Sequence, residues 1–215
     1  MEEILLSFRE RLLKENEKQN LISRKTAHTE VDKHILDSLA LFQFVSLASE
    51  KVIDIGSGAG FPGLVLGIVS RETFVTLLES DLRKSEFLTE TAAALSAKNI
   101  GVIRERAEVL GQNPDYRGQF TVCTSRAVAS IRIMLEYALP LLTLGGKLYL
   151  WKGPKYTEEL REAAQALEIL GGAFEAAHHY TLEDGEERYI VEIRKEKPTP
   201  DKYPRKNGIP AKRPL

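Results

Sequence analysis

KVIDIGSGAGFPG, Lys51–Gly63, decides how the rest of the chain is read. Val52, Ile53 and Ile55 make a short β-branched run of strand type. It ends in a glycine cluster, and Pro62 suits the first turn of a following helix. Glycine carries no Cβ, so a backbone built from it can come close to a ligand. A strand that feeds a glycine turn and then a helix opens a sheet whose ligands sit at the carboxyl edge.

Outward from this stretch, strand and helix signals alternate. Phe74–Leu78 (FVTLL) reads as a second strand ending at Glu79, followed by a helix from about Arg83 to Ser96 with Phe87, Leu88 and Leu95 inward. Ile100–Ile103 is a weak third strand and Phe120–Thr124 a fourth. Ile131–Leu139 reads as a helix, Lys147–Trp151 as a fifth strand and Thr157–Leu170 as a helix. Such alternation predicts right-handed βαβ units and a parallel sheet covered by helices. Upstream, Ile4, Leu5, Phe8, Leu12 and Leu13 recur at helical spacing, as do Val31, Ile35, Leu39 and Phe42. These two helices precede any strand and form a cap. Downstream, Phe174–Leu182 and Arg188–Arg194 flank Asp184-Gly185, a turn suited to an antiparallel hairpin.

The last segment breaks the rhythm. From Lys197 to Leu215 the chain carries five of its nine prolines. Pro198, Pro200, Pro204, Pro210 and Pro214 predict an extended tail without helix, mobile or laid across the surface. The expected organisation is residues 1–48 as an N-terminal helical cap, 49–195 as an α/β body and 196–215 as a basic, proline-rich tail.

Composition narrows the function. With 215 residues and 43% apolar content the chain can bury a sizeable core as a domain-sized globule. Its single cysteine, Cys123, excludes an internal disulfide and a thiolate zinc centre. His178 and His179 are adjacent on a strand, point to opposite faces and cannot ligate one metal, so no metal is expected. No apolar stretch is long enough to span a membrane, and MEEILLSFRE puts acids where a signal peptide is basic. A soluble cytoplasmic protein is expected. The net charge is −1, yet eight basic residues from Arg194 onward face only Glu196 and Asp201, so the tail carries +6. A basic segment on an acidic body suits a polyanionic partner; a solvated terminus is the other reading.

The ligand of the glycine loop is the next question. Gly58-x-Gly60-x-x-Gly63 also matches the dinucleotide fingerprint and does not decide by itself. Glu79, 23 residues after Gly56, is placed to bind ribose hydroxyls of either ligand class. Asp54 tips the balance. An acid at the strand end repels a pyrophosphate but can hold an ammonium through water or backbone, which suits S-adenosylmethionine. The string D-x-G-x-G-x-G resembles motif I of the class I methyltransferases, and a closing antiparallel hairpin is typical of that fold.

Several further stretches align with one family. They are NEKQNLIS (Asn16–Ser23), HILDSL (His34–Leu39), DIGSGAGFPG (Asp54–Gly63), LLES (Leu77–Ser80), SRA (Ser125–Ala127), WKG (Trp151–Gly153) and YPRKNGIPAKRPL (Tyr203–Leu215). From about Asn16 to Leu215 the chain resembles the small-subunit ribosomal RNA methyltransferase G family, formerly called glucose-inhibited division protein B. That resemblance implies a class I, Rossmann-like methyltransferase fold with a seven-stranded, mostly parallel sheet. It implies transfer of a methyl group from S-adenosylmethionine to N7 of a guanine in 16S ribosomal RNA, with the 30S subunit as partner. Carried over residue by residue, the cofactor site falls on Gly56, Phe61, Glu79, Ala107, Glu108 and Arg126. Glu79 stands where aspartate is common in the family, Ser23 where threonine is frequent and Trp151 where an aliphatic residue is usual.

Guanine N7 has a lone pair and no proton, so its methylation requires no general base. Arg126 and Lys152, at the ends of the fourth and fifth strands, are the candidate positioning residues. No [Asp/Asn]-Pro-Pro-aromatic string follows the fourth strand, which disfavours exocyclic-amine methylation, and Cys123 in FTVCT reads as core rather than nucleophile. His34, Asp37 and Ser38 share a helix face. They serve either as a lid on the target base or as a polar tie between cap and sheet. Asn16 and Asn20 read mainly as structural. Extruding a paired guanine needs stacking and phosphate contacts. Phe61 and the tail cations Lys202, Arg205, Lys206, Lys212 and Arg213 are the candidates. An NAD-dependent oxidoreductase and a non-catalytic ribosome-binding module are the other classes open to this sequence.

Overall fold

The structure, a computed structural model, describes residues 2–23 and 26–215. Helices α1 (Glu2–Asn16) and α2 (Ala27–Leu39) come first, as their apolar spacing requires. The body then runs β1 (Lys51–Ile55), α3 (Gly63–Val69), β2 (Phe74–Leu78), α4 (Leu82–Ala94), β3 (Ile100–Ile103), α5 (Ala107–Leu110), β4 (Phe120–Arg126) and α6 (Ile131–Ala138). It continues with β5 (Leu142–Lys152), α7 (Tyr156–Glu162), α8 (Ala164–Leu170), β6 (Gly172–Thr181) and β7 (Glu187–Lys195), and a short α9 (Ile209–Lys212) lies in the tail.

The seven strands lie in the order β3-β2-β1-β4-β5-β7-β6. All pairs are parallel except those of β7, which runs against β5 and β6. The order reverses between β1 and β4, and a crevice opens at the carboxyl edge there. Alternation along β1 sends Val52 into one core and Ile53 and Ile55 into the other. The first core joins Phe8, Leu12 and Val31 of the cap to Leu64, Leu66, Leu77 and Leu88. The second packs α5, α6 and α8 against the opposite face, with Tyr203 of the tail among its buried members. Cys123 is wholly buried in that core, as its mid-strand position implies.

Three expectations are corrected. β5 begins five residues before Lys147. Gly145 and Gly146 hide the strand in the sequence, and the ladder to β4 shifts register between Phe120 and Val122. The helix expected over Thr157–Leu170 is two helices meeting at the fully buried Ala163: α7 only half-buries Tyr156 and Leu160 on the second core, whereas α8 turns to bury Ala166 and Leu170. Apolar spacing continues through the bend, so periodicity does not reveal it. The tail is laid across the surface as one reading had it, but it contains α9 despite Pro210. That proline occupies the first turn, where a helix has no use for the missing N–H.

Candidate active site

β1 delivers the glycine turn to the crevice. Gly56 (φ +74°) and Gly58 (φ +54°) both adopt the left-handed region that side chains avoid. A Cβ at Gly56 would stand 2.4 Å from Val128 Cγ2, whereas one at Gly58 would find nothing nearer than the Gly56 carbonyl at 3.8 Å. The Gly58 face is therefore open toward the crevice. Gly63 opens α3 and lets it lie against β1, since a Cβ there would meet Asp54 Cβ at 2.4 Å. Glu79 closes the turn from β2: its carboxylate accepts from Gly58 N–H (2.9 Å) and from Asp81 N–H (2.8 Å).

The crevice has a volume of about 700 Å³. Gly56–Ala59 and Phe61 form its floor, and Glu79, Ser80 and Lys84 one side. Arg126–Val128 and Trp151–Gly153 form the other. The cap roofs it with Leu21–Ser23, Glu30, Lys33, His34 and Asp37. Asn16 shapes that roof, because its Oδ1 accepts from Leu21 N–H (2.8 Å) and Ile22 N–H (2.9 Å). Asn20 is exposed and lies outside the walls.

One polar network holds the roof to the sheet. Arg126 Nη1 donates to Asp37 Oδ2 at 2.5 Å, and Tyr180 Oη donates to Asp37 Oδ1 at 2.5 Å. Trp151 Nε1 donates to the Asp37 carbonyl at 2.8 Å. The indole at this position is thus a tie between β5 and α2. The Arg126 guanidinium lies 5.1 Å over the Phe61 ring, and His34 packs on that ring at 5.2 Å. With Phe8 also against it, Phe61 is 5% exposed and offers no free face for a base to stack on. Burial, and then the charge of Arg126, pushes the His34 imidazole down to about 4, so it is neutral at pH 7. Of the polar face on α2, Asp37 serves as the tie, Ser38 Oγ donates to the His34 carbonyl, and the His34 ring faces the crevice. Lys152 also lines it, but its Nζ is held by the Ala129 carbonyl and by Glu159 Oε2, each at 2.8 Å.

Other expected site residues stand behind the walls. Asp54 is wholly buried, with Oδ1 accepting from Thr124 Oγ1 (2.7 Å) and no hydrogen bond of good geometry at Oδ2. Burial pushes it up to about 6, against the pull of nearby Thr124, Ser57 and Gly63. It anchors the turn and does not reach the crevice. Ala107 and Glu108 also lie outside the walls, and Glu108 Oε1 accepts from Gly208 N–H of the tail at 2.9 Å. Arg205 grips Glu136 through Nε and Nη2. Lys202, Lys206, Lys212 and Arg213 are exposed, and the described residues offer none of them an ion pair. Sequence reasoning missed Lys33, Lys84 and Arg188 as wall residues. Lys33 sits one turn before Asp37 on the face already singled out, and that spacing was its signal.

Among the described residues there is no cluster able to hold a metal, and no helix is long and apolar enough to cross a membrane. His178 bonds Glu192 while His179 bonds Glu187, on opposite faces of the strand.

A glycine cradle at the switch point, an acid closing it from the second strand, and a mostly parallel seven-stranded sheet finished by an antiparallel hairpin define a class I S-adenosylmethionine-dependent methyltransferase. Solved structures share this fold. A putative S-adenosylmethionine-dependent methyltransferase from Methanococcus maripaludis is similar with a TM-score of 0.60 at 15% identity, over 80% of this chain and 90% of that one. The Thermus thermophilus 16S rRNA N2 G1207 methyltransferase, solved with AdoMet and guanosine, is similar with a TM-score of 0.51 at 20% identity, over 79% of this chain and 40% of that one. The family model of rRNA small subunit methyltransferase G (GidB) matches residues 1–190. A ribosomal RNA small subunit methyltransferase G from Syntrophomonas wolfei is 50% identical over 215 residues, all of both chains. One from Chloroflexus aggregans is 42% identical over 93% of this chain and 84% of that one. The chain belongs to the rRNA small subunit methyltransferase G family.

Proposed function

We propose that this protein transfers a methyl group from S-adenosylmethionine to N7 of a guanine in small-subunit, 16S ribosomal RNA. The observation that carries the reading is the open Gly58 face, held by Glu79 and set under a roof that includes the neutral His34 and the Asp37 carboxylate paired with Arg126. The cradle fits a nucleoside: Gly56 and Gly58 leave room for close approach, and the Glu79 carboxylate keeps lone pairs for ribose hydroxyls. Arg126 flanks the same crevice, with Phe61 supporting it from below. Asp54 acts behind the turn. Ala107 and Glu108 act from the neighbouring edge.

When bound, S-adenosylmethionine supplies a methyl group made electrophilic by its sulfonium. The protein's part is alignment, which lowers barriers by up to ~7–11 kcal/mol in favourable systems. Guanine N7 brings its own lone pair, so no residue has to remove a proton. The neutral His34 ring, free of charge at pH 7, presents an uncharged wall to the purine as it gains positive charge. Arg126, neutralised by Asp37, keeps N–H groups for a purine oxygen without adding net charge. Lys152 fixes the β5 end against α7 and lines the same wall.

On this reading residues 1–48 cap the crevice and 49–195 carry the transfer. Residues 196–215 offer Lys202, Lys206, Lys212 and Arg213 to phosphates, while Arg205 fastens the tail. The substrate is ribosomal RNA within or approaching the 30S subunit, and the compartment is the cytoplasm. Calorimetry tests the donor: S-adenosylhomocysteine is expected to bind and NAD not to. Binding of NAD alone would overturn the reading.

A further inference from the structure

The tail crosses the molecule from one sheet edge to the other. At the amino edge, Lys195 Nζ, where β7 ends, donates to the Leu139 and Leu142 carbonyls. Thr199 Oγ1 then caps the Leu170 carbonyl, Arg205 meets Glu136 on α6, and Gly208 N–H reaches Glu108 in the first turn beyond β3. Both carboxylates are buried, Glu136 1% and Glu108 5% exposed. Buried carboxylates require donors. Glu136 takes the Arg205 N–H, Nε and Nη2, while Glu108 accepts from Gly208 N–H and has the Tyr137 hydroxyl of α6 as a second partner.

The anchor at Glu108 follows shortly after Ile103, the strand-end residue that meets the glycine cradle's clasp. Glu79 N–H donates to the Ile103 carbonyl at 3.1 Å, and the Glu79 carboxylate holds Gly58. Between Ile103 and Glu108 runs only the short β3–α5 segment. Sequence resemblance puts Glu108 on the cofactor, whereas its carboxylate here is turned to the tail.

We propose that Glu108 is a positioning residue: by fastening the tail at Gly208 it holds the β3–α5 segment beneath the Glu79–Gly58 clasp, so that order in the tail and nucleoside binding are coupled. The inference rests on the methyl-donor reading above. It assigns the C-terminal segment a part in donor binding besides any contact with RNA.

The test compares the intact chain, Glu108→Ala, a chain ending at Asn207 (which keeps the Arg205–Glu136 pair) and the two changes combined. Two quantities are read: hydrogen exchange at the Ile209, Lys212 and Arg213 amides, and the Kd for S-adenosylhomocysteine by calorimetry. Glu108→Ala is expected to strip protection from those amides and to raise Kd roughly 2- to 30-fold. The shortened chain raises Kd by the same factor, and the combination raises it no further. Glu108→Gln, which keeps an acceptor oxygen, retains both protection and affinity. Tail amides that stay protected in Glu108→Ala overturn the anchor. Factors that multiply in the combination overturn the coupling, because they mean Glu108 touches the nucleoside itself. If Glu108→Ala does not fold, the shortened chain decides: an unchanged Kd overturns the proposal. Should the intact chain bind no S-adenosylhomocysteine, the donor reading fails and the coupling with it, while exchange still decides the anchor.

Discussion

Gly58 and Trp151 show how single residues set the site. Gly58 combines a left-handed φ with a face that opens on the crevice. Gly58→Val adds a β-branched side chain to both, and is expected to abolish S-adenosylhomocysteine binding in calorimetry while lowering stability by about 1–2 kcal/mol. Retained affinity contradicts the assignment of the cradle. Trp151 is buried, with its indole N–H on the Asp37 carbonyl. Trp151→Phe keeps most of the apolar volume but orphans that carbonyl, at a cost of about 1–3 kcal/mol in denaturant unfolding. His34 supplies a pH signature. Its folded pKa is about 4 against 6.5 in the unfolded chain, so the unfolded state binds the extra proton between these values. Stability therefore rises as pH climbs from about 4 to 6.5 and is lost on acidification through that window. The shift bounds the effect at about 3 kcal/mol before discounting for the part of the ring still wet. His34→Gln is expected to flatten the pH dependence of stability in that window, and an unchanged slope contradicts the burial argument.

At the scale of elements, the tail separates two jobs that its composition merged. Arg205 is part of the fold, because Glu136 is buried beneath it. Arg205→Ala leaves that carboxylate only the backbone N–H of residue 205 and no countercharge, and thermal unfolding should register about 3 kcal/mol. Replacing Lys202, Lys212 and Arg213 together by alanine should leave melting unchanged. It should also reduce the salt slope of RNA binding by about 0.7–0.9 log units per lost phosphate contact. An unchanged slope would return these cations to plain solvation. Proline content told of an extended, surface-laid segment but was silent on its two anchors, since Glu108 and Glu136 look like ordinary solvated acids on short helices. The strands were legible where short apolar, β-branched runs stand between polar or glycine neighbours, as in β1 and β2. The start of β5 was not legible, because the Gly145-Gly146 pair interrupts its apolar run, nor was the bend at Ala163. Within the site, the cradle, Glu79 and Arg126 could be read from sequence because they end strands. Lys84 and Arg188 could not, because cap, hairpin and body meet around them only in three dimensions.

Across the whole molecule, the carboxyl edge of the sheet gathers the glycine turn, Glu79, Arg126 and Lys152 around one crevice. The cap shares its core with the first face of the sheet, so α1 and α2 are built into the body. The Asp37 network then locks that cap over the crevice through β4, β5 and β6. On the proposed reading a guanine and a nucleoside donor meet inside this enclosure, and because N7 carries no proton the enclosure has only to align them. The most direct measurement is incubation of the protein with radiolabelled S-adenosylmethionine and small ribosomal subunits lacking the modification, followed by nuclease digestion and mass analysis of the RNA. The account predicts label in 7-methylguanosine at a discrete position, lost with Gly58→Val; RNA that stays unlabelled at every salt concentration, or label on another atom of the base, would contradict it.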